Sequence, residues 1–444
     1  MRWHAGRMGL AWLSLLLVLL SREATAQAMT GYPAADSAAV ARAAWARAAA
    51  ARRAGDAVRA RDEAAHAALA WPTQPAYALG WAAAAARIAD TASVLRALTL
   101  YASVGFGYDA RTDTTFASYL RTAPFVGVGR MLTRNAAPRV HSRARTIAAD
   151  STFWPEGLDS DPRSGRLYLT SVRHGAVAEV AADGQVREVV RKGQLRGAVL
   201  AARVDTARNA LWLTLSGISQ MDGYQPADST IGALVRVALS DGRVQRRWNL
   251  PAISGAHALG DLIVSRSGDV FLTDSNEPVL YRLRAASDTL EMLRHPLFRS
   301  LQGMAESADG AVLYVADYSH GLLRVELATN AVSRLDDAPQ SSSLGCDGIV
   351  FHENAIIAVQ NGVSPARLMR FTLDETGHRI VRSEVLDQNS DIADEPTSVI
   401  VRGGDAVYVA DSQWEKYDRD GRRRPNTLLR APILLAVPLA TRGR

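Results

Sequence analysis

Cysteine occurs once, at Cys346, so no intrachain disulfide and no zinc site built from several cysteines can form in this chain. Its stability must come from packing. Lysine is nearly as scarce: Lys192 and Lys416 are the only two, and the net charge of +6 rests on arginine. A basic balance invites a nucleic-acid reading, but the arginines are scattered among acidic residues. The one dense run, Arg422-Arg423-Arg424, follows a turn-like Asp420-Gly421 and reads as a solvated loop, so no nucleic-acid partner is expected. Long apolar runs are missing as well. Leu10 to Leu20 is shorter than the roughly 20 residues that cross a bilayer. It lies behind Arg2 and Arg7 and ahead of Ala24-Thr25-Ala26, the pattern of an export signal cleaved after residue 26. A periplasmic or secreted chain with no integral membrane segment is expected. A Gly-x-Ser-x-Gly elbow, a phosphate-binding glycine loop and a dinucleotide fingerprint are absent, which argues against phosphoryl transfer and nicotinamide chemistry. No His-x-x-x-His pair offers a local zinc motif.

What is present falls into two regions of different period. From Asp36 to about Asn135 the chain is alanine-rich and nearly free of glycine, with apolar residues at helical spacing and Gly55-Asp56, Pro72 and Asp90 as punctuation. Helices are expected near 36–53, 56–70, 76–89 and 91–104, followed by shorter ones. Paired helices of this length resemble tetratricopeptide-type repeats, which implies a docking module for a protein partner. After Ser151 the pattern changes to short strands divided by Gly, Asn and Asp turns. One strand recurs six times, with Tyr168, Trp212, Phe271, Tyr314, Ile357 and Tyr408 as its anchors at spacings of 44, 59, 43, 43 and 51 residues. That is the period of a propeller, whose four-stranded blades bury their faces against one another around an axis. The expectation is a mainly β chain: a signal peptide at 1–26, a tetratricopeptide-like α-helical domain at 27–140 and a six-bladed β-propeller at 141–444. The longer gaps imply insertions, notably Ser216 to Thr230 in blade two. Two segments compete for the last strand of blade six, Ile433 to Leu439 and one just before Ser151.

In a propeller the six innermost strands begin around one small volume, so function is sought there. Counting back from the anchors gives Trp154-Pro155-Glu156-Gly157 in blade one, Leu259-Gly260-Asp261 in blade three and Leu301-Gln302-Gly303 in blade four. Blade five offers Cys346-Asp347-Gly348-Ile349 and blade six Asp394-Glu395-Pro396-Thr397-Ser398, whereas blade two, near Val199 to Ala202, is apolar. With Pro-Glu-Gly at 155–157 and Asp-Gly-Ile at 347–349 in this shared register, the region from 151 to 440 resembles the gluconolactonase, senescence marker protein and luciferin-regenerating enzyme superfamily. The resemblance implies a divalent cation on the axis, calcium or zinc, held by Glu156, Gln302 and Asp347, with Asp347 as general base. Gln302 stands where that family has Asn, and Gly260 where it has a substrate-contacting Asn, leaving Asp261 as the nearest polar group. Asp261, His257 and Thr397 are the candidate substrate contacts.

Two carboxylates and an amide carbonyl suit a hard cation such as Ca²⁺ on chemical grounds alone. Such an ion would polarise a lactone carbonyl or activate water. The first functional expectation is therefore a metal-dependent hydrolase acting on a lactone or sugar-like small molecule. The second is a non-catalytic propeller that binds a ligand or protein, of the NHL type suggested by Tyr-Val-Ala-Asp at 314–317 and 408–411. Asp274, Asp317 and Asp411 recur just after the anchor strands in three blades, which reads as turn capping. Glu156 and Asp347 have plainer readings too, as backbone-amide acceptors at a channel mouth and a turn.

Overall fold

The computed structural model describes residues 37–108, 114–148, 150–251, 253 and 255–439, so the segment 1–26 expected to be an export signal lies outside the described residues. The chain divides after Ala137 into a helical unit, to which residues 339–342 also belong, and a β unit.

The helical unit is built from Ser37–Arg53, Ala57–Ala70, Pro75–Arg87 and Thr91–Ser103, followed by the shorter Ala117–Leu120 and Val126–Ala136. The punctuation acts as capping chemistry. Asp56 accepts the Arg59 amide, and Asp90 the Ser93 amide, at the starts of the second and fourth helices, while Pro75 occupies the first turn of the third. Buried alanines at three- and four-residue spacing, such as Ala41, Ala44 and Ala48 in the first helix, form its inner face. Small side chains let large ones intrude: a Cβ on Gly80 would lie 2.1 Å from the ring of Trp45.

The β unit holds six four-stranded antiparallel sheets. Each anchor strand is the second strand of its sheet and is fully buried in Leu167–Ser171, Ala210–Ser216, Val270–Asp274, Val312–Asp317 and Ala355–Gln360, as expected where both faces meet a neighbouring blade. The innermost strands are Pro155–Ser160, Ala202–Asp205, Asp261–Val264, Leu301–Glu306, Cys346–His352 and Val399–Arg402. Hydrophobic clusters fill the gaps between blades: Tyr168 packs with Leu211, Leu213 and Val235 of blade two, and Tyr314 with Ile356, Ala358 and Phe371 of blade five.

Blade six shows how the ring closes. Its sheet runs Val399–Arg402, Asp405–Val409, Ile433–Pro438 and, outermost, Arg143–Thr146, with Arg143 opposite Ala436 and Thr146 opposite Ile433. Both candidates for the last strand are used, side by side. A strand from before blade one covers the edge that the C-terminal strand would otherwise expose.

The capping expectation for the recurring aspartates matches the structure. Asp274 accepts the amides of Ala258, Asn276 and Glu277, Asp317 those of Arg299, Ser300, Ser319 and His320, and Asp411 that of Gln413.

Candidate functional site

Three innermost strands carry the same irregularity at the same place. The pairing with the anchor strand slips between Pro155 and Leu158, between Leu301 and Met304, and between Cys346 and Ile349. The two residues inside each bulge are Glu156-Gly157, Gln302-Gly303 and Asp347-Gly348. A bulge bends its strand and re-aims the side chain it carries. The glycine in each is demanded by the next blade. A Cβ on Gly157 would stand 2.5 Å from the Leu200 carbonyl oxygen, on Gly303 2.5 Å from that of Asp347, and on Gly348 2.7 Å from that of Thr397. These glycines let consecutive blades touch at the starts of their inner strands, and Glu156, Gln302 and Asp347 precede them.

Hydroxyls fasten this ring. Thr170 accepts the Gly157 amide at 2.7 Å and donates to the Leu200 carbonyl at 3.0 Å. Thr273 accepts the Asp261 amide and donates to the Gln302 carbonyl at 2.8 Å. Thr397 donates to the Glu156 carbonyl at 3.0 Å, so its hydroxyl serves the junction of blades six and one.

The carboxylates are specifically held. Glu156 accepts the Trp414 indole N–H on Oε2 at 2.9 Å, and Asp347 accepts the Asn361 amide on Oδ2 at 2.7 Å. Asn361 also donates to the Pro396 carbonyl at 2.8 Å, and its own oxygen accepts the Tyr318 hydroxyl, which fixes the orientation of the amide. Burial and the Asp347 charge beside it hold the Glu156 carboxyl well above the ordinary carboxylate range, against the lowering effect of the Trp414 bond. Burial pushes Asp347 up to about 7, against the Asn361 bond and with the Asp261 charge adding to the rise. Neither residue forms an ion pair with any described residue.

Several fully buried acids of the propeller have a cationic partner instead. Asp205 pairs with Arg208, Asp228 with Arg196, Asp269 with Arg282, and Glu179 with Arg166 and Arg187. Asp261 belongs to this second class: Arg203 reaches its Oδ1 at 2.9 Å, and the Met304 amide its Oδ2 at 2.9 Å. Its carboxyl is still raised, by burial, with Arg203 opposing. His257 is occupied as well. Its Nδ1 lies 2.6 Å from Asp274 Oδ2 and its Nε2 3.0 Å from the Pro251 carbonyl, against a backbone that Gly232 leaves open.

The donor set suits a cation. Two half-buried carboxylates have no cationic partner to offset the hydration they lose, and Glu156 Oε1 and Asp347 Oδ1 accept nothing from the described residues. Gln302 brings a neutral amide, whose Nε2 lies 3.3 Å from Ser300 Oγ and whose Oε1 faces Gly260. Among the described residues no group of three or more His, Cys, Asp or Glu is placed to hold an ion, so the third protein ligand would have to be the amide.

No protein-family model matches the chain, and no curated protein does. Solved structures do resemble it. A gluconolactonase from Xanthomonas campestris is 14% identical, with 69% of this chain and 93% of that one covered and a TM-score of 0.46. A luciferin-regenerating enzyme is 12% identical over 67% and 95%, also at 0.46, and virginiamycin B lyase from Staphylococcus aureus 14% identical over 60% and 80%, at 0.44. The chain is a six-bladed propeller. That statement rests on its own sheets; likenesses this distant carry no argument about activity.

Several residues of the site have no clear signal in the sequence. Trp414 sits in a charged insertion without periodicity. Tyr318 and Asn361 follow the anchors Tyr314 and Ile357 by four residues, where Ser216, Ser275 and Ser412 stand in other blades. Extending the alignment of repeats one position beyond the capping aspartates exposes them. Glu395 stands two residues before the candidate Thr397, and its carboxyl is also held well above its usual range, by burial and by the charges of Glu415 and Glu156. Arg203 follows the apolar start of blade two and is hidden by it. It lines a separate cavity of about 260 Å³ toward the opposite ends of the inner strands, with Asp159, Arg266, Glu306 and Phe351.

Proposed function

We propose that the propeller is a divalent-cation-dependent hydrolase of a small cyclic ester, of the sugar-lactone class, acting where its innermost strands begin. The observation that carries this reading is the pair of half-buried carboxylates, Glu156 and Asp347, delivered by equivalent bulges and left without a cationic partner among the described residues. Glu156 Oε1, Asp347 Oδ1 and the Gln302 carbonyl would hold the ion. A cation bound there supplies the positive charge that polarises an ester carbonyl. Burial raises Asp347 only while the ion is absent; the charge of a bound cation would lower it again, and the resulting carboxylate would take the proton of the attacking water as that oxygen bonds to the carbonyl carbon. The ring C–O bond then breaks, and the departing alkoxide takes up a proton to give the hydroxy acid. Asn361 and Tyr318 hold the Asp347 carboxylate in position throughout.

Binding without turnover is the competing reading, favoured by one feature: Asp261, the only acid at the third-blade position, is occupied by Arg203 and a backbone amide. One experiment separates the two. Purified protein is titrated with Ca²⁺, Mn²⁺ and Zn²⁺ and assayed on a panel of sugar lactones. Turnover that needs the ion and disappears in Glu156→Gln supports hydrolysis. Ion binding with no turnover on any lactone supports a binding module, and no ion binding at millimolar concentration overturns the proposed site.

A further inference from the structure

Two insertions that look unrelated in sequence meet in space. The segment between Val409 and Ile433 of blade six touches Arg173 of blade one and the insertion after Ser216 in blade two. Ser219 Oγ donates to the Arg419 carbonyl at 2.5 Å, and Gly421 packs against the Ser219 carbonyl so closely that a Cβ would stand 2.1 Å from it. Arg173, from blade one, ties the two together. Its Nη1 donates to the Gly421 carbonyl at 2.9 Å and to the Gln220 carbonyl at 3.3 Å, its Nε pairs with Asp222 at 2.7 Å, and its guanidinium lies over the Tyr417 ring. At the base of the strap, Gln413 donates to the carbonyls of Ser151 and Arg430 and accepts the Arg430 amide.

The inner face of this strap is aromatic. Tyr417 stacks on Trp154 with centroids 4.1 Å apart, and Trp414 meets Trp154 edge-on at 5.1 Å. Trp154 is fully buried, its indole N–H finds no partner among the described residues, and its backbone sits at φ 52°, a strained conformation for an aromatic residue. Such strain persists only where surroundings enforce it, and two residues later the chain places Glu156. Trp414 completes the circuit by donating to Glu156 Oε2 at 2.9 Å.

We infer that Trp414 is a positioning residue for Glu156, carried to it by a strap that the blade-six and blade-two insertions build together. Trp414 occupies one carboxylate oxygen and turns the other toward the axis. The inference rests on Glu156 as a cation ligand, and outer partners of ligating groups commonly change affinity by about 10-fold to 100-fold.

Terbium, a luminescent stand-in for calcium, provides the test. Wild-type protein should give tryptophan-sensitised terbium emission that calcium displaces. Calcium affinity, read from thermal shifts, should fall about 10-fold in W414F, which keeps a ring but loses the N–H. W414H, which restores a ring N–H, should recover part of that loss. R173M, which unseats the strap and leaves Trp414 intact, should weaken calcium in the same direction and decides the matter should W414F fail to fold. Unchanged calcium affinity in folded W414F, or in R173M where W414F does not fold, overturns the inference while leaving the ion site standing. Wild-type protein that binds neither ion overturns the site reading and the inference with it.

Discussion

Replacing Asp347 by Asn separates a functional carboxylate from a turn-forming one, because the two roles move stability in opposite directions. The ordinary Asp value is 3.8, and burial lifts this residue to about 7 in the fold. A carboxyl whose folded value is raised carries no penalty while both states are protonated. Stability then declines as pH rises from about 4, where the unfolded chain ionises, to about 7, where the folded one does. A rise of that size corresponds to roughly 4 kcal/mol as an upper bound. With water reaching part of the site, about 2 kcal/mol is expected. The asparagine side chain would still offer an oxygen to the Asn361 amide, so little packing is lost. In chelator at pH 8, D347N should therefore melt about 4 °C above wild type, at roughly 2 °C per kcal/mol for a domain of this size. The difference should vanish near pH 4. Calcium should close most or all of this gap, and reverse the order at the tighter end of the affinity range. At about 10 mM, and with a dissociation constant of about 0.1 to 1 mM as in weak all-oxygen sites, it adds roughly 1.4 to 2.7 kcal/mol to wild type and nothing to the variant. Differential scanning fluorimetry across pH, with and without calcium, reads all of this. A D347N protein that is less stable than wild type in chelator at pH 8 would refute the reasoning and leave Asp347 as a turn former.

Three other outcomes follow from particular contacts. Gly303→Ala places a methyl 2.5 Å from the Asp347 carbonyl oxygen and 2.8 Å from the Ile349 nitrogen, both backbone, and should cost about 3 kcal/mol by urea denaturation. A loss below about 0.5 kcal/mol would show that the blades do not touch as closely as described. Arg203→Met leaves Asp261 buried and unpaired at a cost of about 3 to 5 kcal/mol, which the added change Asp261→Leu should largely recover in a double-mutant cycle. Strictly additive losses would count against the pairing. A chain started after Ile147 lacks the strand Arg143–Thr146, so Ile433–Pro438 becomes a bare edge. Size-exclusion chromatography should show it aggregating, and a monomer with unchanged melting would contradict the closure.

The sequence by itself determined the blade count, because six anchors must each be buried on two faces and only a β-branched or aromatic residue at a fixed register satisfies that. It also determined where Glu156, Gln302 and Asp347 lie, since a residue before a glycine in a repeated strand inherits its place from the repeat. The helix boundaries were legible for a similar reason: Asp56 and Asp90 act through amides three residues away. What joins distant parts of the chain was not legible. Asp261 and Asp347 look equally available as sequence, yet Arg203, 58 residues away from Asp261, neutralises only the first. Trp414 reaches Glu156 across 258 residues, and the closing strand of blade six comes from ahead of blade one. Repetition records what each blade must do alone. Charge pairing, strap contacts and ring closure depend on which blades become neighbours, and only the tertiary structure decided that.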